Sequence, residues 1–193
     1  HCLRYGDDDP FVLGYAAGTL VGIGGDIDIA DQLIERALEI HPASGASLFW
    51  GGWVDIARAK PARAITRFEQ ALRMNPRSAV RPQALTGIGL GLLACGEVMR
   101  ARTALREAVQ YLPHAPVTLA ALVVAFTLNG EEQEAAPYAI RLRALGGTRS
   151  IDAIIRDPRM RAVLDTALDR YARPQADKAS LHTTPRISGE SSR

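Results

Sequence analysis

An internal repeat of 34 residues constrains the fold of this chain more than any other feature of its sequence. Shifting residues 18–42 by 34 positions superimposes them on residues 52–76. The coinciding pairs are Gly18 and Gly52, Ala30 and Ala64, Ile34 and Phe68, Ala37 and Ala71, Leu38 and Leu72, and Pro42 and Pro76. Small, apolar and proline residues at one fixed offset predict helix pairs that stack one on the next.

The order of these positions is Gly, then Ala, then an Ala-x3-aromatic step, then Pro, and it resembles the tetratricopeptide repeat. The resemblance implies an all-α superhelix of antiparallel helix pairs, in which each repeat buries its apolar face only against its neighbours. The third repeat returns with a three-residue insertion within residues 77–83. The fourth repeat is weaker, because Gly147 stands where the closing Pro is expected.

The repeat register predicts the organisation of the whole chain. Four repeats are expected at residues 10–43, 44–77, 82–114 and 115–147, with helix pairs spanning 11–40, 46–74, 82–111 and 116–145. Residues 148–172 depart from the repeat and are predicted to form a pair of capping helices, since a stacked array needs its open end covered. Residues 1–9 look like the remnant of a preceding repeat. Residues 173–193 are rich in Ser, Thr, Pro and charge, which predicts a disordered tail.

Several residues inside the predicted helices carry their own expectations. Gly18, Gly52 and Gly89 are expected to face Ala30, Ala64 and Ala101, so that the two helices of a repeat approach closely. The alternating glycines 87, 89 and 91 indicate close helix packing, since they follow no strand and lack the Lys-Ser/Thr of a phosphate-binding loop. Pro137 is expected to kink or delay its helix. Residues 117–128 are apolar almost all round, which predicts that something covers them.

A narrower resemblance rests on longer segments. GDIDIADQLIERALEIHP, GGWVDIARAKPARAITRFEQALRMNP and ALTGIGLGLLACGE are similar to the C-terminal tetratricopeptide region of bacterial class III adenylate/guanylate cyclases and winged-helix regulators. IIRDPRMRAVLD resembles the closing segment of those proteins. The resemblance covers about residues 1–170. It implies a piece of a larger bacterial signalling protein, but neither the cyclase's metal-binding aspartates nor a recognition helix is present in this sequence.

The first helix of each repeat lines the inner, concave face in such arrays, and this face is the candidate protein-binding surface. Its predicted residues are Tyr15, Thr19, Phe49, Trp50, Trp53, Ile56, Leu90 and Val124, with Gly22, Thr86, Leu93, Ala120 and Thr127 at further inward positions. Phe49, Trp50 and Trp53 fit either inter-repeat core or a partner-binding surface, because Trp is enriched at binding hot spots. The Lys, Arg and Asn clamp that holds C-terminal carboxylates in chaperone-binding relatives is absent.

Composition and motifs exclude several functions. The net charge of +2 disfavours nucleic-acid binding, and the longest strongly apolar run, at 115–128, is too short to span a bilayer. Two cysteines without a C-x-x-C spacing, and no signal peptide, favour the cytoplasm and argue against a zinc site. No catalytic pair, metal cluster or nucleotide motif is visible, so neither a cofactor nor an enzymatic reaction is expected.

The function expected from the sequence is a non-catalytic, protein-binding or interdomain scaffold module. The alternative is the regulatory region of an adenylate/guanylate cyclase whose catalytic domain lies upstream. Self-association through the N-terminal end is also expected, because Phe11, Tyr15 and Leu20 would face a helix that precedes the first repeat. The outward arginines at 63, 67, 100, 102 and 106 are expected to form a solvated face balanced by Glu69, Glu97 and Glu107.

Overall fold

The computed structural model describes residues 9–146 and 149–172, and every regular element in these two ranges is an α-helix. The helices are α1 (Pro10–Ile23), α2 (Ile27–Ile40), α3 (Gly45–Ala57), α4 (Pro61–Met74), α5 (Arg81–Ala94), α6 (Val98–Tyr111), α7 (Pro116–Leu128), α8 (Glu132–Ala144), α9 (Arg149–Ile154) and α10 (Pro158–Ala172). The predicted all-α class is confirmed. The predicted tail, Gly147 and all of the predicted remnant but Asp9 lie outside the described residues.

Local sequence signals set where the first helices begin and end. The Asp9 carboxylate accepts a hydrogen bond from the backbone N–H of Phe11, and Pro10 follows at the first helical position, where its missing N–H costs nothing. Gly24 ends α1 in the left-handed conformation, with φ of 70°. Asp26 then caps α2 by accepting from the N–H groups of Asp28 and Ile29. The turn between two helices of a repeat is therefore encoded within three residues.

The first eight helices form two stacked layers. Within each repeat the consecutive helices pack against each other, as α1 with α2 and α3 with α4, and likewise α5 with α6 and α7 with α8. The odd-numbered helices also contact one another in order, from α1 to α3, α5 and α7. They line the inner face, and the even-numbered helices form the outer layer. One apolar core cluster runs through all four pairs.

Glycines on the inner helices create space for large side chains. The Phe68 ring lies between Gly52 of α3 and Gly87 of α5, and a Cβ atom at either glycine would come within 2.7 Å or 2.3 Å of that ring. Leu105 occupies the equivalent space beside Gly89. The expected close packing at these glycines is confirmed, but the side chains nearest to Gly52 and Gly89 are Phe68 and Leu105 rather than the expected Ala64 and Ala101. Gly18 differs from expectation, because the neighbour that it accommodates is the indole ring of Trp50 in the next repeat.

The fourth repeat departs from one expectation and meets another. Helix α8 begins at Glu132 and continues through Pro137, so the expected delay of its start is wrong. Pro137 lies near the helix start and its exposed ring points away from the core, which limits the damage to one backbone hydrogen bond. The expectation that α7 is covered is confirmed, since residues 118–126 are all buried and both α9 and α10 contact this helix.

The two C-terminal helices take different positions. Helix α10 packs against α7 and α8, where it covers the fourth repeat, and Arg170 forms an ion pair with Glu132. Helix α9 instead contacts α1, α3 and α7. Because these three helices line the inner face, α9 lies across that face and joins the first repeat to the fourth. The inner face is therefore divided into a part that α9 covers and a part that it leaves open.

Candidate protein-binding groove

The helices that line the inner face, α1, α3, α5 and α7, carry all eight residues predicted to bind a partner, and this face is named the groove here. Their exposure differs greatly along it. Tyr15, at 45% exposed, and Thr19 on α1 are open to solvent, and Trp50 and Ile56 on α3 are half-buried. The buried members are Phe49, Trp53, Leu90 and Val124. All eight residues lie on the inner helices, but the rings of Phe49 and Trp53 pack on Phe68 of the outer helix α4, and a role in binding stays a prediction.

Aromatic rings form a continuous series from the solvent to the core of the second repeat. The exposed rings of Phe11 and Tyr15 have centroids 4.4 Å apart, and Tyr15 meets Trp50 edge-on at 5.3 Å. Trp50 contacts Phe49 at 4.9 Å, and Phe49 contacts Phe68 at 6.0 Å. Edge-to-face pairs at these distances are favourable. The buried end of the series fixes the orientation of the exposed end.

An open cavity of about 200 Å3 adjoins the exposed end of this series and is named the aromatic pocket. Tyr15, Phe49 and Trp50 line it together with the apolar side chains of Leu72, Val80 and Ala84. Asn75 and Ser78, from the α4–α5 connection, add polar groups to the lining. Part of this lining comes from the inserted segment at 77–83, whose contribution the repeat pattern could not indicate. The sequence therefore predicted the aromatic residues of the pocket but not those from α4, α5 and their connection.

A second cavity, of about 280 Å3, lies between the ends of α3 and α5 and the α9–α10 connection, and is named the inner cavity. Ile56, Leu90 and Ile154 line it together with Pro61, Ala94 and Met160. The predicted groove residues Ile56 and Leu90 therefore face the chain's own C-terminal segment. Arg156 and Asp157 also line this cavity. In this part of the groove, residues that were predicted to bind a partner therefore have an intramolecular neighbour.

A network of charged side chains links α2, α3 and α4 behind the groove. Asp55 is fully buried on α3, and its carboxylate accepts hydrogen bonds from Arg63 at 2.6 Å and from Arg67 at 3.1 Å. Arg67 also donates to Glu35, and Arg63 donates to Asp31. The expectation that Arg63 and Arg67 form a solvated face is wrong, because Arg67 is only 7% exposed and Arg63 is half-buried.

The ionisation of this network follows from its burial. Desolvation raises the pKa of Asp55 above its ordinary value, although the hydrogen bond from Arg63 and the charge of Arg67 both oppose the rise. The Asp55 hydrogen bond in turn raises the pKa of Arg63, against the opposing effect of desolvation. The group therefore joins three helices through charge pairs rather than offering a reactive side chain to the groove.

The three arginines of α6, at positions 100, 102 and 106, have different partners. Arg100 pairs with Glu97 at the surface, as expected. Arg102 pairs with Glu131, the residue just before α8, and its hydrogen bond lowers the pKa of that carboxyl. The Arg106 guanidinium lies 5.3 Å from the centre of the Phe126 ring. Glu107 and Glu69 pair instead with Arg81 and Arg73.

The residue types that most often bind metal ions are dispersed in the described part of the chain. Within residues 9–146 and 149–172 there is no group of three or more His, Cys, Asp or Glu side chains placed to hold a metal ion. His41 and His114 are exposed beside the prolines that close two repeats, and Cys95 is an exposed free thiol. Within the same ranges no helix is long and apolar enough to cross a membrane.

Comparisons with known proteins define the class of fold. No protein-family model and no curated protein matches the chain. Similar solved structures are PilW, described as a widely conserved type IV pilus biogenesis factor (19% identity, TM-score 0.66, 93% of this chain and 83% of that chain), and Pseudomonas aeruginosa pilF (16%, 0.63, 88% and 76%). The APC/C hetero-tetramer Cut9-Hcn1 is also similar (13%, 0.64, 83% and 30%).

Identities this low establish the fold alone. The class that emerges is an all-α stack of antiparallel helix pairs. Its 34-residue register and these structural neighbours make it a tetratricopeptide-type superhelix with two further helices at its C-terminal end.

Proposed function

We propose that this chain is a non-catalytic scaffold module that binds a partner polypeptide in its groove, at the aromatic pocket. The observation that carries the proposal is the pairing of exposed rings with an open cavity. Tyr15 and Trp50 belong to a series of rings whose buried end is packed into the core, so the rings are held in place before a partner arrives. Tyr and Trp in such pre-organised positions are the residue types that dominate binding energies at protein interfaces.

The size of the aromatic pocket favours a protein side chain over a cofactor. Small-molecule sites enclose roughly 300–1,000 Å3 and bury most of their ligand. A cavity of about 200 Å3 that opens to solvent instead accommodates one large apolar side chain from a partner. The polar groups of Asn75 and Ser78 in its lining can bond to the backbone of the same segment. The partner expected is an apolar segment of another polypeptide or of a neighbouring domain.

Charge and fold comparison are consistent with a protein partner. A net charge of +2 over 193 residues provides no extended field to attract a nucleic acid. Cut9-Hcn1, whose fold is similar, is a hetero-tetramer by its description, so this architecture occurs within a protein assembly. The proposal therefore extends to a role in holding polypeptides together, with no nucleic-acid or membrane contact by this region.

Site-specific photo-crosslinking in cells that make the protein naturally tests the proposal. A photo-reactive amino acid at Thr19, one turn along α1 from Tyr15, should capture a defined polypeptide. The same group at Thr103, exposed on the outer helix α6, provides the matched control. Capture at Thr19 should fall at least about tenfold on Tyr15→Ala, as loss of a hot-spot side chain predicts. Equal capture at both positions, or capture indifferent to Tyr15, would refute groove binding.

A second candidate function rests on the resemblance of residues 154–165 to the closing segment of bacterial cyclase and regulator proteins. In this alternative the chain is the cytoplasmic regulatory region of a nucleotide cyclase, and the groove holds the enzyme's own upstream domain. The coding sequence upstream of His1 discriminates between the two. A class III cyclase domain there would support the alternative, and further repeats without one would exclude it.

A further inference from the structure

Helix α9 occupies the groove in a manner that differs from the rest of the fold. It contacts α1, α3 and α7, which belong to three different repeats. Ile151 and Ile155, four residues apart, are 1% and 3% exposed and belong to the common core cluster. Ile154 lines the inner cavity together with Ile56 and Leu90. The apolar face of α9, continued by Ile155 just after its last residue, therefore lies where the inner face of a helical repeat array would receive a ligand.

The length of α9 indicates that its docking is weaker than ordinary core packing. A helix of six residues is far below the length at which a helix is stable without help from its surroundings, so α9 depends on the groove for its structure. The inner cavity beside it, about 280 Å3 in volume and open to solvent, is a part of the groove that α9 does not fill.

Helix α9 is attached to α10 by charge. Asp152 forms an ion pair with Arg161, and Arg161 also pairs with Asp165 along α10. The apolar side chains at 151, 154 and 155 lie against the groove, either in the common core or in the lining of the inner cavity.

We propose that α9 is an internal ligand of the groove, and that a partner binds by displacing it with a short helix of the same chemistry. That helix would present branched aliphatic side chains four residues apart, as Ile151 and Ile155 do. This inference rests on the proposed function, because it identifies the partner class and the regulation of the same groove. In the unliganded chain the aromatic pocket is open and the adjoining part of the groove is closed, so a partner reaches the pocket first.

Competition from α9 makes a quantitative difference to binding. A segment tethered by a short connection acts at an effective concentration in the millimolar range, so it lowers the apparent affinity of any external segment for the same site. The apparent dissociation constant rises by the reciprocal of the fraction of chains in which the groove is open. Weakening the docking of α9 should therefore strengthen external binding, which is the opposite of what damage to a binding site does.

The test uses the full chain and a fluorescently labelled synthetic peptide of residues 149–160. The variant Ile151→Asp/Ile155→Asp should bind this peptide at least about tenfold more tightly than the unmodified chain does, because its own segment no longer competes. The matched control is Ala162→Asp/Thr166→Asp, which places the same charges at the same spacing on the exposed face of α10 and should leave binding unchanged. A peptide with aspartate at both isoleucine positions should not bind any of the three proteins.

If the variant fails to fold, hydrogen exchange of the unmodified chain still tests the inference. The amides of Ile154 and Ile155 should exchange at least about a hundredfold faster than those in the middle of α5, because α9 opens locally. Exchange of α9 in step with α5 would overturn the inference, as would equal peptide binding by the variant and the unmodified chain.

The two proposals fail separately. A partner captured at Thr19 together with no peptide binding would overturn the internal-ligand inference and leave the proposed function standing. Tight peptide binding by the opened variant, with no partner captured at Thr19, would support the internal ligand and count against the proposed external partner.

Discussion

Asp55 departs most from the apolar pattern of the helices that line the groove. An ionised carboxylate is expensive to bury, and its cost is offset only when good hydrogen bonds and opposite charges surround it. Both of its oxygens accept from arginine side chains, which in turn reach Asp31 and Glu35 on α2. This network of ion pairs therefore stabilises the fold only while each of its members keeps its partners.

Replacing Arg67 should expose this dependence. Arg67→Met keeps the volume of the side chain but removes one of the two charges that compensate Asp55, and we expect a loss of about 3 kcal/mol in the free energy of unfolding at neutral pH. Arg73→Met, on an exposed part of the same helix, should change stability by less than about 0.5 kcal/mol. Urea denaturation of both variants measures the difference. Equal midpoints would show that the charge pair carries no stability.

The deficit of Arg67→Met should also depend on pH. Arg67 lowers the pKa of Asp55, so its removal should raise the folded-state pKa of Asp55 further above the unfolded value of 3.8. A raised folded-state pKa stabilises the fold below the unfolded pKa, and that stability is lost as pH rises through the folded pKa. The deficit should therefore be largest at neutral pH and shrink on acidification. A deficit that grows as the pH falls would contradict this assignment.

The prediction that Arg67 is solvated was wrong because it relied on residue type. Arginine on an outer helix is usually solvated, and the repeat pattern fixes only the small and apolar positions. One signal was available: a lone acidic residue in the otherwise apolar stretch GGWVDIA implies a buried carboxylate that needs basic partners. Pairing it with Arg63 and Arg67 required the spatial arrangement of α3 and α4, which the sequence does not provide directly.

At the scale of elements, helix α5 shows why the inner helices contain glycine. Gly87→Ala should destabilise the protein by about 1–3 kcal/mol, since the new Cβ atom would meet the Phe68 ring, which Gly52 confines on its other side. Gly22→Ala is the matched control, because it lies in α1 with no atom near its added methyl group. That change should be neutral or stabilising by up to about 1 kcal/mol. Thermal unfolding that ranks these variants in the opposite order would contradict the packing described.

The helix pairs were predictable and the place of α9 was not, for a physical reason. Each repeat has to bury the same faces against its neighbours, so the small residues recur at fixed positions and reveal the helices. The isoleucines at 151, 154 and 155 indicate an apolar face on a short helix, but a helix with an apolar face can pack on any apolar surface. Its contact with α1 joins parts of the chain far apart in sequence, and no local pattern encodes such a contact.

At the scale of the whole molecule, the N-terminal end presents a surface that should promote self-association. Phe11 and Tyr15 are 56% and 45% exposed, and their rings pack together on α1. Sedimentation at tens of micromolar should detect dimers or larger species, and Phe11→Ser/Tyr15→Ser should shift them to monomer because exposed apolar area is removed. Tyr111→Ser, at a ring on α6 that is 64% exposed, should have no effect. A monomeric unmodified chain would refute this prediction.

The position of α9 predicts a route of coupling that a simple repeat array lacks. In such an array each repeat contacts only its neighbours, so a perturbation at the C-terminal end weakens step by step towards the N-terminal end. Here α9 contacts α1 directly, as well as α3 and α7. The variant Ile151→Asp/Ile155→Asp should therefore increase amide hydrogen exchange in α1 and α3 more than in α6. Helix α6 is nearer to the C-terminal helices along the chain, but it lies in the outer layer. Exchange that increases most in α8 and declines steadily towards α1 would show that the perturbation passes only between neighbours. An increase confined to the inner helices that α9 touches would show that this six-residue helix joins the two ends of the array.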